Sequence, residues 1–141
     1  MLATAGSNPL PPRGQDGTAL VGDPPVLAPA ENCTIHNYNV VPLRSGRHVL
    51  VSGNYQAGTW ATDFTEPANP ATLGWSDPPI FTRPGNLSEL AGAWSSYWYN
   101  NFIYESSITE GVNVFRLSGK ATRGALRLSH LNPQTQEFSL P

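Results

Sequence analysis

The chain of 141 residues has a single cysteine, Cys33, so no internal disulfide can hold the fold together. We interpret this cysteine as a small, buried apolar residue. A second interpretation stays open, in which its partner lies in sequence beyond this chain. A catalytic role would need a basic neighbourhood that lowers the pKa of the thiol, and only His36 is near in sequence.

Charge is also scarce, with 8 Lys and Arg residues against 10 Asp and Glu residues and a net charge of −2. Nucleic-acid binding usually requires clustered Lys and Arg, so we expect no nucleic-acid partner. No apolar run approaches the roughly 20 residues of a membrane span, so we expect no transmembrane segment. The first residues lack the basic and apolar regions of a secretory signal peptide.

Glycine and proline, in contrast, are abundant, with 13 and 14 residues, well above their usual combined share of about 12%. Prolines crowd the first 31 residues, where they disfavour helices and internal strands. Trp, Tyr, Val and Thr dominate the middle of the chain, and they favour strands. We therefore predict an all-β fold, with an irregular segment at 1–31 and a β-rich region at 32–141.

Two stretches of this region share one pattern, at residues 48–64 and 102–117. Each has a β-rich run, a short polar loop that ends in Gly58 or Gly111, and a second β-rich run. A spacing of about fifty residues is typical of repeat architectures, propellers included. The pattern predicts two similar β units.

Alternating apolar residues and turn signals predict four strands in each unit. In the first they are 34–41, 48–55, 59–65 and 71–76, and in the second 92–99, 102–108, 112–117 and 125–129. Each set matches a propeller blade, a four-stranded antiparallel meander, so we predict blades at 34–76 and 92–129. The connector, 78–91, is expected to hold at most a helical turn, and the tail to be irregular. We expect the blades to pack face to face through Trp60, Phe64, Trp94, Trp98 and Phe115.

Three segments carry a resemblance to a known family: 36–42, 59–70 and 111–117. They resemble the repeats of LVIVD-repeat proteins, a bacterial group of predicted β-propellers that are often secreted. The match is clearest at Asp63-Phe64-Thr65-Glu66-Pro67-Ala68-Asn69-Pro70, whereas the second copy departs from it with Arg116-Leu117-Ser118-Gly119-Lys120.

A propeller needs about four to eight blades to close. The resemblance therefore implies an incomplete propeller, the C-terminal part of a longer protein. The remaining blades would come from a longer parent chain or from other copies. The resemblance also implies an extracellular or periplasmic location, with a cytoplasmic one as the alternative, and it brings no catalytic residues with it.

Four residues are candidates for ligand binding. His36 and Asn37 lie on the first predicted strand, which would line a propeller's central channel, and Glu105 lies on a strand of the second unit. Trp94 belongs to an aromatic cluster with nearby hydroxyls and amides, which suits a sugar or a peptide. We expect no metal and no organic cofactor, because the three histidines lack the spacing of a metal site.

These observations favour a non-catalytic binding or scaffold module with a protein or carbohydrate ligand. Two alternatives stay open. One is a fragment of a propeller enzyme with a site near His36 and Glu105, and the other is a small β-sandwich that binds carbohydrate. Glycosidase chemistry needs two carboxyl groups about 5–10 Å apart, and the sequence places no second carboxylate opposite Glu105.

Overall fold

The computed structural model describes residues 35–76, 92–108, 110–117 and 119–141. The predictions for 1–31, for Cys33 and for the connector at 78–91 lie outside these ranges. Within them the chain forms strands and one short 3-10 helix, which confirms the prediction of an all-β fold. The elements in order are β1 (Asn37–Val41), β2 (Val49–Gly53), β3 (Thr59–Asp63), β4 (Ala71–Ser76), β5 (Ala93–Tyr99), β6 (Phe102–Ser107), β7 (Gly111–Arg116), the 3-10 helix (Gly119–Thr122), β8 (His130–Asn132) and β9 (Glu137–Ser139).

The first sheet is an antiparallel meander with the order β1-β2-β3-β4, as predicted for the first unit. Its register pairs Val51 with Ala61, both of which are buried and face the core. The pairing of β3 with β4 shifts within this sheet, because Ala61 pairs with Gly74 but Thr62 pairs with Thr72. The residue between them is therefore extra, and such a bulge bends the strand that carries it.

The second sheet is a shorter meander with the order β5-β6-β7. A two-residue turn, Asn100 and Asn101, joins β5 to β6, with φ angles of 48° and 75°. Two successive positive φ values fit the twist of a tight hairpin, and asparagine tolerates them better than most residues. The turn lies where the sequence predicted it.

The prediction of a fourth strand at 125–129 is wrong. That segment returns to the first sheet, where Ala125 forms an isolated bridge with Leu43 and the amide of Leu126 donates to the carbonyl of Pro42 at 2.9 Å. The chain then buries Leu128 in the core. Because its backbone partners lie in the loop after β1, the segment does not add to β7.

The tail, predicted to be irregular, instead forms the hairpin of β8 and β9. Between these two strands lies Gln136, a residue with a φ of 61°. Its side-chain oxygen accepts a hydrogen bond from the amide of Val40 at 3.0 Å. The hairpin therefore covers part of the outer edge of β1.

The two sheets meet where β5 lies against β1 and β2. The backbone of Tyr55 pairs with that of Ala93 through two hydrogen bonds of 2.9 and 2.8 Å. Farther along β5, the amide of Trp98 donates to the side chain of Asn39 at 2.7 Å. The shared core consists of Val41, Val49, Val51, Ala61, Trp98, Ile103 and Leu128.

Aromatic packing between the sheets follows the prediction only in part. Trp98 belongs to the shared core, and Phe115 packs against it. Trp60 instead stacks on a tryptophan of its own sheet, and Trp94 is 52% exposed at the rim of the junction. The core cluster does not include Phe64. The first sheet therefore contributes aliphatic residues to the core, and the second sheet contributes Trp98 and Ile103.

No helix among the residues described is long and apolar enough to cross a membrane.

Candidate functional site

His36 and Trp94, two of the predicted site residues, lie together beside the junction of the sheets. Their ring centroids are 4.4 Å apart, and the ring of Tyr55 lies 4.8 Å from that of His36. The Nδ1 atom of His36 is 2.5 Å from the carbonyl oxygen of Trp94. A carbonyl only accepts, so Nδ1 carries the proton and donates it. This bond attaches the start of the first sheet to β5.

Asn37 also makes a contact between the sheets. Its side-chain amide donates to the hydroxyl of Tyr97 at 2.9 Å. Asn37 lies on β1 and Tyr97 on β5, so this hydrogen bond joins the edge strands of the two sheets. This contact gives Asn37, one of the predicted site residues, a structural role between the sheets.

Glu105 is fully buried between the two inner faces. One of its oxygens accepts from the hydroxyl of Thr59, and the other accepts from the side-chain amide of Asn113 at 3.0 Å. The Thr59 oxygen also contacts the hydroxyl of Ser96. Thr59 has one hydroxyl proton and gives it to Glu105, so Ser96 must donate to Thr59. The carboxylate thus ends a short chain of hydroxyls.

Glu110 reaches the same network from the surface. The amide of Asn113 donates to Glu110 at 2.8 Å as well as to Glu105. One amide group therefore bridges the two carboxylates, and Glu105 is sealed from solvent. The structure brings His36 and Trp94 together and places Glu105 in this separate buried network.

A groove runs between the ends of the two sheets, and none of the predicted site residues lines it. It has a volume of about 280 Å³ and lies between β3 and β4 on one side and β6 and β7 on the other. Most of its lining is apolar. The lining residues are Thr59, Ala61, Leu73, Gly74, Trp75, Ser76, Ile103, Phe115, Arg116 and Leu117.

Trp75 is the most exposed aromatic residue of the groove, with 60% of its surface accessible. Its ring stacks on that of Trp60, which is buried, at 5.7 Å between centroids and 22° between planes. This support fixes the ring of Trp75 as a flat surface. Trp75 was not among the site residues predicted from the sequence. The signal that could have indicated it is a tryptophan directly after a glycine near the end of a predicted strand.

Arg116 supplies the charge of the groove. It is exposed on β7 and is the one charged residue among those that line the groove. Another cation, Arg47, lies elsewhere and forms an ion pair with Asp63. Within the described ranges no three His, Cys, Asp or Glu side chains gather as a metal site would require.

A second hollow, of about 380 Å³, lies beside the turn at Asn100 and Asn101. It is bounded by the turn, by Tyr104 and by the segment from Ala125 to Arg127. Asn100 also holds the neighbouring Leu128 backbone through two hydrogen bonds of 2.8 and 3.0 Å. The polar groups here serve to attach the tail, so the groove is the better candidate site.

No protein-family model, curated protein or solved structure matches this chain.

Proposed function

We propose that this chain is a non-catalytic binding module and that the groove between the sheets is its binding surface. The observation that carries the proposal is the groove of about 280 Å³, with apolar walls and a supported, exposed Trp75 at its side. Binding sites are typically concave and apolar, with a few polar groups that orient the ligand. Arg116 and the hydroxyl of Ser76 are such groups here.

The state of Glu105 supports binding over catalysis. A fragment of a propeller enzyme was the alternative hypothesis, with Glu105 as the first carboxylate to test. Both of its oxygens already accept hydrogen bonds, from Thr59 and Asn113, and its side chain is buried. A general acid or base must reach the reacting proton within hydrogen-bond distance, whereas the Thr59 contact joins the two sheets and the Asn113 contact lies within the second sheet.

The finer proposal is that the sheets are propeller-like units of an LVIVD-repeat protein from an extracellular or periplasmic location. Further blades would come from the same protein or from other copies of the chain. Two successive antiparallel meanders support this hypothesis, because blades have this strand order. The same strand order supports it over the carbohydrate-binding sandwich, for which crossed Greek-key connections are expected.

The proposed ligand of the groove is a protein segment, and carbohydrate is the second candidate ligand class. The flat, supported ring of Trp75 favours it, since aromatic faces present large rigid contact areas.

The test of the binding proposal uses the Gly74→Val variant. Gly74 lines the groove, and a side chain added there meets open space, so valine should obstruct the groove and leave the fold intact. The chain and the variant are screened against a glycan array and a displayed library of linear peptides. We expect at least one bound probe whose affinity falls roughly tenfold or more in the variant, which is about 1.4 kcal/mol.

The control is Val112→Thr, a change at an exposed position of β7 outside the groove lining. It should bind the same probes as the unmodified chain. If no glycan or peptide distinguishes the unmodified chain from Gly74→Val, the proposal is wrong.

A further inference from the structure

We infer that the groove binds an extended, acidic peptide segment of a partner protein, which adds as a fifth strand to the outer edge of β4. The inference rests on the proposed function of the groove as a binding surface, and it names the ligand class. Strand addition to a sheet edge is a recurring way of binding peptides. Main-chain hydrogen bonds give the affinity, and pockets for alternate side chains give the specificity.

The edge of β4 is open to the groove. β4 is the last strand of the first sheet, and no other strand of the described ranges pairs with its outer side. Gly74 and Trp75 both line the groove, although successive strand residues face opposite sides of a sheet. A groove that touches both must pass along the strand edge, where unpaired backbone groups are presented.

Gly74 adds an independent reason. A Cβ built on Gly74 has no atom within 4 Å, so neither packing nor a positive φ requires glycine there. Glycine within a strand weakens the strand and often marks a place where another backbone approaches closely. The open space above Gly74 lies on the face of the sheet, because strand side chains point out of its plane. It therefore leaves room for a side chain of a strand that is added beside β4.

The opposite wall decides the chemistry of the peptide. Arg116 is exposed on β7 and is the one charged residue of the lining, so the matching ligand carries a carboxylate. A guanidinium binds a carboxylate through two parallel hydrogen bonds. Leu73 and Phe115 are apolar residues of the lining, and Phe115 faces the side of β7 opposite to Arg116. The peptide should therefore place apolar side chains at alternate positions toward them.

The size of the groove also favours a peptide strand. Its volume of about 280 Å³ is just below the roughly 300–1,000 Å³ of pockets for drug-sized ligands. A peptide strand needs room only for the side chains on one of its faces.

The experiment selects binders from a displayed library of linear peptides on the unmodified chain, with Gly74→Val as the counter-selection target. The enriched peptides should alternate apolar residues and contain Asp or Glu. In synthetic copies, backbone N-methylation at alternate residues should weaken binding roughly tenfold or more, a loss of about 1.4 kcal/mol. N-methylation at the residues between them should have little effect, because their amides face away from β4.

Arg116→Glu provides a second test that does not depend on Gly74. Arg116 is exposed, so the variant should fold, and selection on it should enrich Lys and Arg in place of acidic residues. The inference is overturned if N-methylation shows no alternation or if Arg116→Glu leaves the charge of the selected peptides unchanged.

The two proposals can fail separately. A glycan that binds the unmodified chain but not Gly74→Val, without any enriched peptide, would keep the groove as the binding surface and overturn the peptide inference. Peptides that bind the unmodified chain and Gly74→Val equally must bind outside the groove. This result would also overturn the peptide inference. If neither glycans nor peptides distinguish the two chains, both proposals fall.

Discussion

The side-chain oxygen of Asn39 accepts a hydrogen bond from the backbone amide of Trp98 at 2.7 Å, and both residues are buried. The amide belongs to β5, which is the edge strand of the second sheet. A buried backbone amide without a partner is costly. Asn39 therefore allows the edge of one sheet to be buried against the face of the other.

Replacement of Asn39 by leucine should remove this acceptor and keep a similar side-chain volume. We expect a loss of about 1–3 kcal/mol in the free energy of unfolding, the usual penalty for an unsatisfied buried donor. Chemical denaturation measures it. The matched control is Asn37→Leu, whose partner Tyr97 is part-buried and can turn to water. Equal losses in the two variants would contradict the assignment.

Two glycines in strands of the first sheet should respond in opposite ways to alanine. A Cβ on Gly53 would lie 2.9 Å from the Cα of Ser95, so Gly53→Ala must push the sheets apart. We expect about 1–3 kcal/mol of destabilisation from this overpacking. Gly74→Ala meets open space and should be neutral or slightly stabilising, by up to about 1 kcal/mol. Thermal melts of both variants check the pair, and a costly Gly74→Ala would show that the groove is filled by the chain itself.

The turn between β5 and β6 offers a second matched pair. Asn100→Gly keeps the positive φ but removes two hydrogen bonds to the backbone of Leu128. The expected cost is about 1–3 kcal/mol. Asn101→Gly keeps its φ and loses no such bond, so its melting temperature should stay the same or rise. Similar melting temperatures for the two variants would argue against the attachment of the tail through Asn100.

Acid should weaken the fold through Asp63. Burial raises the pKa of this carboxyl, but hydrogen bonds from Thr65 and from the guanidinium of Arg47 outweigh burial and lower the pKa below its ordinary value. A lowered folded-state pKa gives stability that is present above the unfolded pKa and is lost as pH falls through the folded one. Both partners are partly exposed, so we expect at most about 1 kcal/mol. Urea unfolding at pH 7 and at about pH 3, near the ordinary pKa of Asp, should show the loss, and Asp63→Asn should reduce it.

Self-association is expected from the strand edges. Within the described ranges, β4 and β7 have no strand on their outer sides, and Val112 on β7 is 71% exposed. Open apolar edges promote pairing between chains. Light scattering should show a mass that rises with concentration, and Val112→Lys should lower it because a charge on an edge opposes pairing. A constant monomer mass at all concentrations would refute this prediction.

Local signals predicted the parts of the fold that depend on neighbouring residues. β4 has the predicted bounds, Ala71–Ser76, because prolines and an aspartate frame its apolar run. The turn at Asn100 and Asn101 was also predicted correctly, because asparagine is a local signal for a turn. The segment from 125 to 129 was assigned wrongly because its partners, Leu43 and Asn100, lie far away along the chain.

For the candidate site as well, the sequence indicated features of neighbouring residues and missed those that depend on distant contacts. Aromatic residues around Trp94 were visible in the sequence, and the structure places His36 against Trp94 itself. The groove was missed because it exists only where the ends of two separate sheets meet. From the sequence, Glu105 was a candidate catalytic carboxylate. Its hydrogen bonds with Thr59 and Asn113, which only the structure shows, identify it as part of a buried network.

The bond between Val40 and Gln136 joins residues 96 positions apart. Contacts between distant residues form late, because the entropy of closing a long loop opposes them. We therefore expect β1 to have this part of its outer edge uncovered early in folding, before the hairpin of β8 and β9 closes on it. The time at which the hairpin closes then determines how long the edge of β1 can pair with another chain. If this step is slow, we expect aggregation during refolding.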